Sequence, residues 1–123
     1  MNRSKVGYAN NIEKETLSND YFRKVIYTGA NMQLVVMSLK PGEDIGMEVH
    51  EDHDQFFRIE EGVVTVYMDG EETELNADDV VIVPAGTEHN VTNTGNVPVK
   101  LYTIYAPPEH PDGRLDENKP HIK

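Results

Sequence analysis

The stretch GEDIGMEVHEDHDQFFRIEEG (residues 42–62) contains the densest group of potential metal ligands in the chain. Within eight residues it holds two imidazoles, a carboxylate and an amide, supplied by Glu48, His50, His53 and Gln55. A second stretch, DDVVIVPAGTEHNVTN (residues 78–93), provides His89 just after a Pro-x-Gly turn. Two short ligand groups that are separated along the chain predict a site that is assembled only on folding.

The composition limits both the class of protein and the kind of site. The chain has 123 residues and a formal net charge of −11, which argues against binding to nucleic acids or anionic membranes. It has no cysteine, so a bound metal must be held by nitrogen and oxygen ligands. No apolar run approaches the length of a membrane span, and the first 20 residues contain no signal-peptide core. We therefore expect a cytoplasmic protein.

Short apolar runs separated by turn residues extend through most of the chain. The length fits one domain (1–123), with a polar N-terminal arm (1–20), a barrel (21–106) and a polar C-terminal tail (107–123). Asp69-Gly70 is a strong hairpin signal, and no window shows a convincing helical period. This pattern predicts an all-β sandwich or barrel with strands at 21–28, 32–39, 45–50, 55–59, 63–68, 73–75, 80–83, 89–92 and 99–105.

Two of the predicted strands have apolar residues on both faces. Residues 32–39 read MQLVVMSL, and residues 80–83 read VVIV before Pro84. A continuous apolar run with turn residues at its ends is typical of a strand that is covered on both faces. We therefore expect both strands to be buried.

The potential ligands fall on positions that allow them to converge. Glu48 and His50 share one face of their predicted strand, and Gln55 can face them after the turn at 51–54. His89 must come from a further strand. Imidazole nitrogen with carboxylate and amide oxygen favours Zn, Mn, Fe, Co or Ni over Ca or Mg. Taken singly, each of these side chains is more often solvated, and His89 alone is compatible with a hydrogen-bonded core histidine.

The spacing of both stretches resembles the two motifs of the cupin family. The first motif, G-x5-H-x-H-x3,4-E-x6-G, is matched here by Gly42, Glu48, His50, Gln55 and Gly62. The second, G-x5-P-x-G-x2-H-x3-N, is matched by Asp78, Pro84, Gly86, His89 and Asn93. Glu48 replaces a histidine, Gln55 a glutamate and Asp78 a glycine. The chain resembles small single-domain cupins of a bacterial subgroup that is often labelled mannose-6-phosphate isomerase-like.

This resemblance has implications for the fold, the cofactor and the partners. It implies a cupin-type double-stranded β-helix, which is a jelly-roll barrel. It implies that Glu48, His50, Gln55 and His89 hold one divalent transition metal, such as Zn, Mn, Fe or Ni. A neutral amide is a weaker donor than a carboxylate, so Gln55 leaves the metal's identity open. The family also implies a small-molecule ligand and a homodimer, for which residues 32–39 and the YTIY end of the last strand offer apolar surface.

His53 lies outside the motif spacing, in the turn between two predicted strands. It is compatible with three roles: a replacement ligand, a general base or a solvated loop residue. Near the predicted mouth of the barrel it is the histidine without a ligand position. We therefore treat His53 as the candidate catalytic residue.

The remaining polar side chains receive weaker expectations. Arg58 alternates with Gln55, so we expect it to face away from the site and to form a salt bridge. Tyr102 and Tyr105 lie on opposite faces of the last strand, so one of them can reach the cavity. For His110 and His121, in the tail, we expect no specific role.

The residues and the resemblance together favour a metal-dependent enzyme. An isomerase or lyase acting on a small sugar-like or carbonyl compound would use the metal as a Lewis acid. A metal-dependent dioxygenase is one alternative, and a non-catalytic module that binds or senses a small ligand is another. The sequence contains no phosphate-binding glycine loop and no basic cluster, so the residues do not support a sugar-phosphate substrate.

Overall fold

In a computed structural model of the protein, residues 6–120 are described. Each predicted strand except the one at 45–50 has a counterpart whose ends agree within two residues. The elements in chain order are α1 (Ile12–Leu17), β1 (Arg23–Thr28), β2 (Gln33–Leu39), β3 (Asp54–Glu61), β4 (Val64–Met68), β5 (Glu71–Leu75), β6 (Val80–Val83), β7 (His89–Asn93), β8 (Val99–Ala106) and β9 (Leu115–Asp116).

Two antiparallel sheets face each other and enclose the core. A six-stranded sheet has the order β6-β3-β8-β2-β1-β9, and a three-stranded sheet has the order β5-β4-β7. Side chains alternate along each strand, so every second residue points between the sheets. The buried side chains include Val35, Met37, Phe57, Ile59, Val64, Val66, Val91 and Leu101. The predicted all-β class and the jelly-roll barrel are confirmed.

The hairpin predicted at Asp69-Gly70 joins β4 to β5. Met68 pairs with Glu71, which leaves a two-residue loop between the strands. Both loop residues have positive φ, 43° for Asp69 and 93° for Gly70. This is the backbone that favours aspartate followed by glycine, and its twist matches that of the flanking strands.

The strand predicted at 45–50 is wrong. The chain there forms only two isolated bridges, Asp44 with Thr92 and Glu48 with His89. Gly46 has a φ of 112°, and its N–H donates to the Asn90 side chain instead of to a strand partner. The segment therefore follows β7 without a continuous ladder, yet it still brings Glu48 beside His89.

The prediction that residues 80–83 are buried is also wrong. Val80 is 49% exposed and Ile82 is 62% exposed. Their strand, β6, forms the edge of the six-stranded sheet, so only one side of it is paired. An apolar run does not by itself distinguish a central strand from an edge strand, because neighbours along the sheet come from distant parts of the chain.

The strand at 32–39 is mostly buried, although Met32 is 53% exposed, and the short helix α1 covers part of the outer face of its sheet. α1 packs against β2, β3 and β8. Lys100 of β8 ties the residues just after α1 to β2, because its Nζ donates to the Asn19 carbonyl at 2.6 Å and to the Ser38 hydroxyl at 3.1 Å. The sequence did not predict this helix, since six residues are too few to show a helical period. No helix among residues 6–120 is long and apolar enough to span a bilayer.

The segment after β8 returns across the open end of the barrel. Its short strand β9 pairs with β1. Gln33 holds the segment: its amide nitrogen donates to the His110 carbonyl at 2.7 Å, and its amide oxygen accepts from the N–H groups of Glu109 and His110. The buried Gln33 side chain therefore fixes two tail residues beside the barrel interior. His121 lies outside the described residues.

Candidate metal centre

Glu48, His50 and His89 form a compact ligand cluster at one end of the barrel. One ligand atom from each lies within 4.8 Å of the others. The Glu48 Oε1 is 3.3 Å from the His50 Nε2, and the rings of His50 and His89 are 5.4 Å apart. Two backbone hydrogen bonds of 2.9 Å between Glu48 and His89 hold the segments together. The two sequence motifs therefore meet at this cluster.

Gln55 points into the same cluster from the start of β3. Its side chain is buried, and its amide nitrogen donates to the Thr103 hydroxyl at 3.0 Å. This contact directs the Gln55 Oε1 towards the His89 Nε2, 3.2 Å away. All four residues that the sequence predicts as ligands thus lie together.

The polarity of the Gln55–His89 contact fits a cation. The His89 Nδ1 lies 2.9 Å from the Thr87 carbonyl, which can only accept, so Nδ1 carries the proton. In the tautomer with its proton on Nδ1, the Nε2 lone pair faces the Gln55 oxygen, which is also an acceptor, and a cation between the two atoms would satisfy both. Bonds of about 2.0–2.2 Å from nitrogen and oxygen to a metal ion bring neighbouring ligand atoms to about this separation. This cluster could hold a divalent metal ion.

His53 is enclosed rather than solvated. Its side chain is 17% exposed, and its Nε2 lies 3.1 Å from the Pro108 carbonyl and 3.4 Å from the Glu109 Oε1. Its Nδ1 is buried and has no hydrogen-bond partner within residues 6–120. The interpretation of His53 as a solvated loop residue is therefore wrong, because the returning tail covers the turn that carries it.

Glu109 is a site residue that the sequence pattern did not identify. Its Oε1 lies 3.7 Å from the His50 Nδ1 as well as close to His53, and His50, His53 and Glu109 form a second group of potential ligands. One signal was present: a Glu-His pair directly after the Pro-Pro that ends the last strand. Nothing local shows that the tail turns back to the barrel.

His110 has a specific place, contrary to expectation. Its ring packs edge-on against Tyr105 with centroids 5.1 Å apart, and its Nε2 lies 3.3 Å from the Tyr105 hydroxyl. Burial, together with the positive charges of Arg23 and Arg114, lowers the pKa of His110 to about 4. His110 is therefore a neutral wall of the site at neutral pH.

The register of β8 decides which tyrosine reaches the site. Tyr105 is 1% exposed and lies edge-on to His50, with ring centroids 5.8 Å apart. Burial raises the pKa of the Tyr105 phenol, which therefore stays protonated. Tyr102 instead packs against Phe56 on the outer face. Arg58 also faces outwards and pairs with Asp78 at 2.9 Å, so the salt bridge expected there is confirmed.

A cavity of about 250 Å³ opens beside the ligand cluster. Glu48 connects the two, because it belongs to the cluster and also lines the cavity. The tail supplies much of the remaining wall through Glu109, His110, Arg114 and Lys119, and β1 supplies Arg23. A small molecule in this cavity would have access to an ion held by the cluster.

Comparisons with known proteins agree with this architecture. The family model described as a cupin domain matches residues 35–105. The protein YrkC of Bacillus subtilis (strain 168) is 50% identical over 115 residues, which are 89% of this chain and 62% of YrkC. The chain therefore spans less than two thirds of that relative.

Two further relatives extend the comparison. The polyketide synthase CurC of Streptomyces cyaneus is 30% identical over 97 residues, which are 77% of this chain and 62% of CurC. The crystal structure of BH2720 from Bacillus halodurans has a TM-score of 0.92 and 45% identity, and the match covers 96% of this chain and 94% of that one. The family model spans more than half of the chain, and this protein belongs to the cupin family.

Proposed function

We propose that the protein is a metal-dependent enzyme that acts on a small sugar-like or carbonyl compound. Glu48, His50, Gln55 and His89 would hold one divalent transition metal. The observation that carries the proposal is the convergence of Glu48, His50 and His89, whose ligand atoms lie within 4.8 Å of one another beside a small cavity. A bound metal ion would supply Lewis acidity to a substrate oxygen, as an isomerase or lyase requires.

Glu109 and His53 are the groups that we propose for proton transfer. Glu109 lines the cavity, so its carboxylate can reach a bound molecule directly. His53 lies behind it, and the 3.4 Å separation of the His53 Nε2 and the Glu109 Oε1 lets the imidazole orient that carboxylate. In this arrangement Glu109 transfers the proton, and His53 positions the Glu109 carboxylate. Proton transfer requires that this carboxylate lie within hydrogen-bond reach of the reacting carbon or oxygen.

The nature of one relative supports a carbonyl substrate. CurC is named a polyketide synthase, and polyketides are built from chains of carbonyl groups. A Lewis acid beside a carboxylate suits chemistry next to a carbonyl, because the metal stabilises negative charge on oxygen while the carboxylate moves the proton.

The metal content of the native protein tests this proposal. We expect elemental analysis of the purified protein to find about one divalent transition ion per chain. Zinc would support the isomerase or lyase reaction. Iron would favour the dioxygenase alternative, since that reaction needs a redox-active metal. Protein that stays metal-free after incubation with each of these ions would contradict the enzyme proposal and favour a non-catalytic binding module.

We also propose that the protein is a homodimer that pairs through the outer face of the six-stranded sheet. Cross-strand partners form an apolar row across that face: Tyr27 opposes Leu34, Leu34 opposes Ile104, and Phe56 lies between Ile104 and Ile82. The row ends at the exposed edge strand β6. A continuous apolar surface of this kind is typical of a protein–protein interface.

Substitution of Ile82 by aspartate tests this interface. We expect Ile82→Asp to shift the protein from dimer to monomer in light scattering coupled to size-exclusion chromatography, because it buries a charge in an apolar contact. Thr65→Asp, which introduces the same charge on the three-stranded sheet, should remain dimeric. A native protein that is monomeric at high concentration would be incompatible with this interface.

A further inference from the structure

Arg23, the first residue of β1, brings a buried guanidinium group to the cavity. Its side chain is 8% exposed, and one terminal nitrogen donates to the Asp116 carboxylate at 2.7 Å. Its Nε–H is buried and has no hydrogen-bond partner among residues 6–120. Unpaired buried donors are rare, because the group loses its hydration without compensation. The Nε–H of Arg23 is therefore an unsatisfied donor on a residue that lines the cavity.

Arg23 does not have a carboxylate to itself. The same Asp116 oxygen accepts from the Arg114 Nε at 3.2 Å, so one carboxylate serves two arginines. Both arginines line the cavity, and Lys119, which also lines it, is paired with Asp44. The two guanidinium groups at this wall thus share one carboxylate, while the other carboxylates that line the cavity, Glu48 and Glu109, lie against His50 and His53 instead.

The rest of the cavity limits which anion can use this charge. Glu48 and Glu109 line the same space, so they repel a dianionic phosphate more strongly than a singly charged carboxylate. The volume of about 250 Å³ is below the usual range of pockets for drug-sized ligands. A small molecule with a single negative charge fits both limits.

We propose that Arg23 binds the carboxylate of a small carboxylic acid whose carbonyl or hydroxyl oxygen lies at the metal cluster. Guanidinium groups suit this task, because their N–H groups match the geometry of a carboxylate. A small carboxylic acid is then the substrate class of the proposed enzyme. This assignment rests on the proposed function, because the other end of the substrate lies at the metal. Arg23 lies outside both cupin motifs, so the motifs do not account for this subsite.

The test compares a keto acid with its neutral amide. The probes are 4-oxopentanoate and 4-oxopentanamide, which share a carbon skeleton and a carbonyl group and differ in the charged end. We expect the metal-loaded native protein to bind the acid at least about tenfold more tightly than the amide, as measured by calorimetry. In nitrogen–proton correlation spectra, the acid should also shift the Nε–H signal of Arg23. That signal can be identified by its loss in Arg23→Lys, since the chain has only four arginines.

Two variants isolate the role of Arg23. Arg23→Gln should remove the preference for the acid. Arg58→Gln is the matched control: Arg58 also pairs with an aspartate and also has an unpartnered buried Nε, but it does not line the cavity. Arg58→Gln removes the same charge and should keep the preference. The shift of the Arg23 Nε–H in the native protein does not depend on either variant being folded.

The outcomes separate this inference from the proposed function. Equal binding of acid and amide by the native protein, or an Arg23 Nε–H that does not move, would overturn the carboxylate subsite even where metal content is stoichiometric. So would tighter binding of inorganic phosphate than of the acid at the same Nε–H. Protein that takes up no metal would refute the proposed enzyme. The acid-amide comparison on that metal-free protein would then decide the role of Arg23 by itself.

Discussion

His89→Ala is expected to reduce bound metal from about one ion per chain to background. The substitution removes one of the two proposed imidazole ligands and leaves Gln55 Oε1 without the nitrogen that faces it at 3.2 Å. Loss of an outer partner of a metal ligand already weakens affinity by about 10–100-fold, so we expect loss of the ligand itself to exceed the upper end of that range. The measurement is elemental analysis after dialysis against a weak chelator.

A matched histidine in the same region serves as the control. His110 packs on Tyr105 near the cluster but belongs to neither group of potential ligands, so His110→Ala should keep its metal. His50→Ala should lose it, as His89→Ala does. Thermal unfolding of all three variants would show whether they remain folded. Full metal content in both His50→Ala and His89→Ala would refute the assignment of the ligands.

Glu109→Gln is expected to keep the metal and to lose at least about 100-fold in the rate of proton transfer, the low end of a general acid–base contribution. The amide keeps the shape of the side chain but cannot accept a proton. His53→Gln should cost at least about tenfold, because it removes the imidazole beside that carboxylate without removing the carboxylate itself. The measurement is deuterium exchange at the carbons next to the carbonyl of 4-oxopentanoate in heavy water.

Metal content makes this second experiment decisive for His53. If His53→Gln strips the metal, His53 is a ligand, and the group formed by His50, His53 and Glu109 holds the ion instead. If exchange and metal content both stay at native values in the two variants, the proton carrier lies elsewhere. Glu88→Gln is the control: Glu88 contacts only the outer Tyr67 hydroxyl among the described side chains, so its loss should leave exchange unchanged.

Much of the fold could be predicted because its signals are local. A hairpin at Asp69-Gly70 depends on two residues that adopt positive φ. Gly62 shows why a motif glycine is informative: its φ is 96°, and a Cβ there would lie 2.9 Å from the Val99 side chain. Such positions restrict the residue type directly, so the sequence records them.

The errors arose where the partner of a segment is distant. The run at 80–83 looks buried, but its strand is an edge because no strand within residues 6–120 pairs with its other side. The segment at 45–50 alternates like a strand, but Gly46 directs its N–H to Asn90 instead of to a ladder. In both cases the local pattern is typical of a strand, but the neighbouring segments of the chain decide whether that strand is buried or forms a ladder.

The sequence by itself determined the barrel and the arrangement of Glu48, His50 and Gln55, because short turns and strand alternation place residues that are close along the chain. It indicated His89 through the spacing shared with the second cupin motif. Only the tertiary structure decided what surrounds them. Glu109 reaches the cavity through a tail held by Gln33, which lies more than 70 residues earlier in the chain, and Arg23 of β1 pairs with Asp116 of the same tail. No local pattern encodes contacts over such a distance, since they depend on how the whole chain packs.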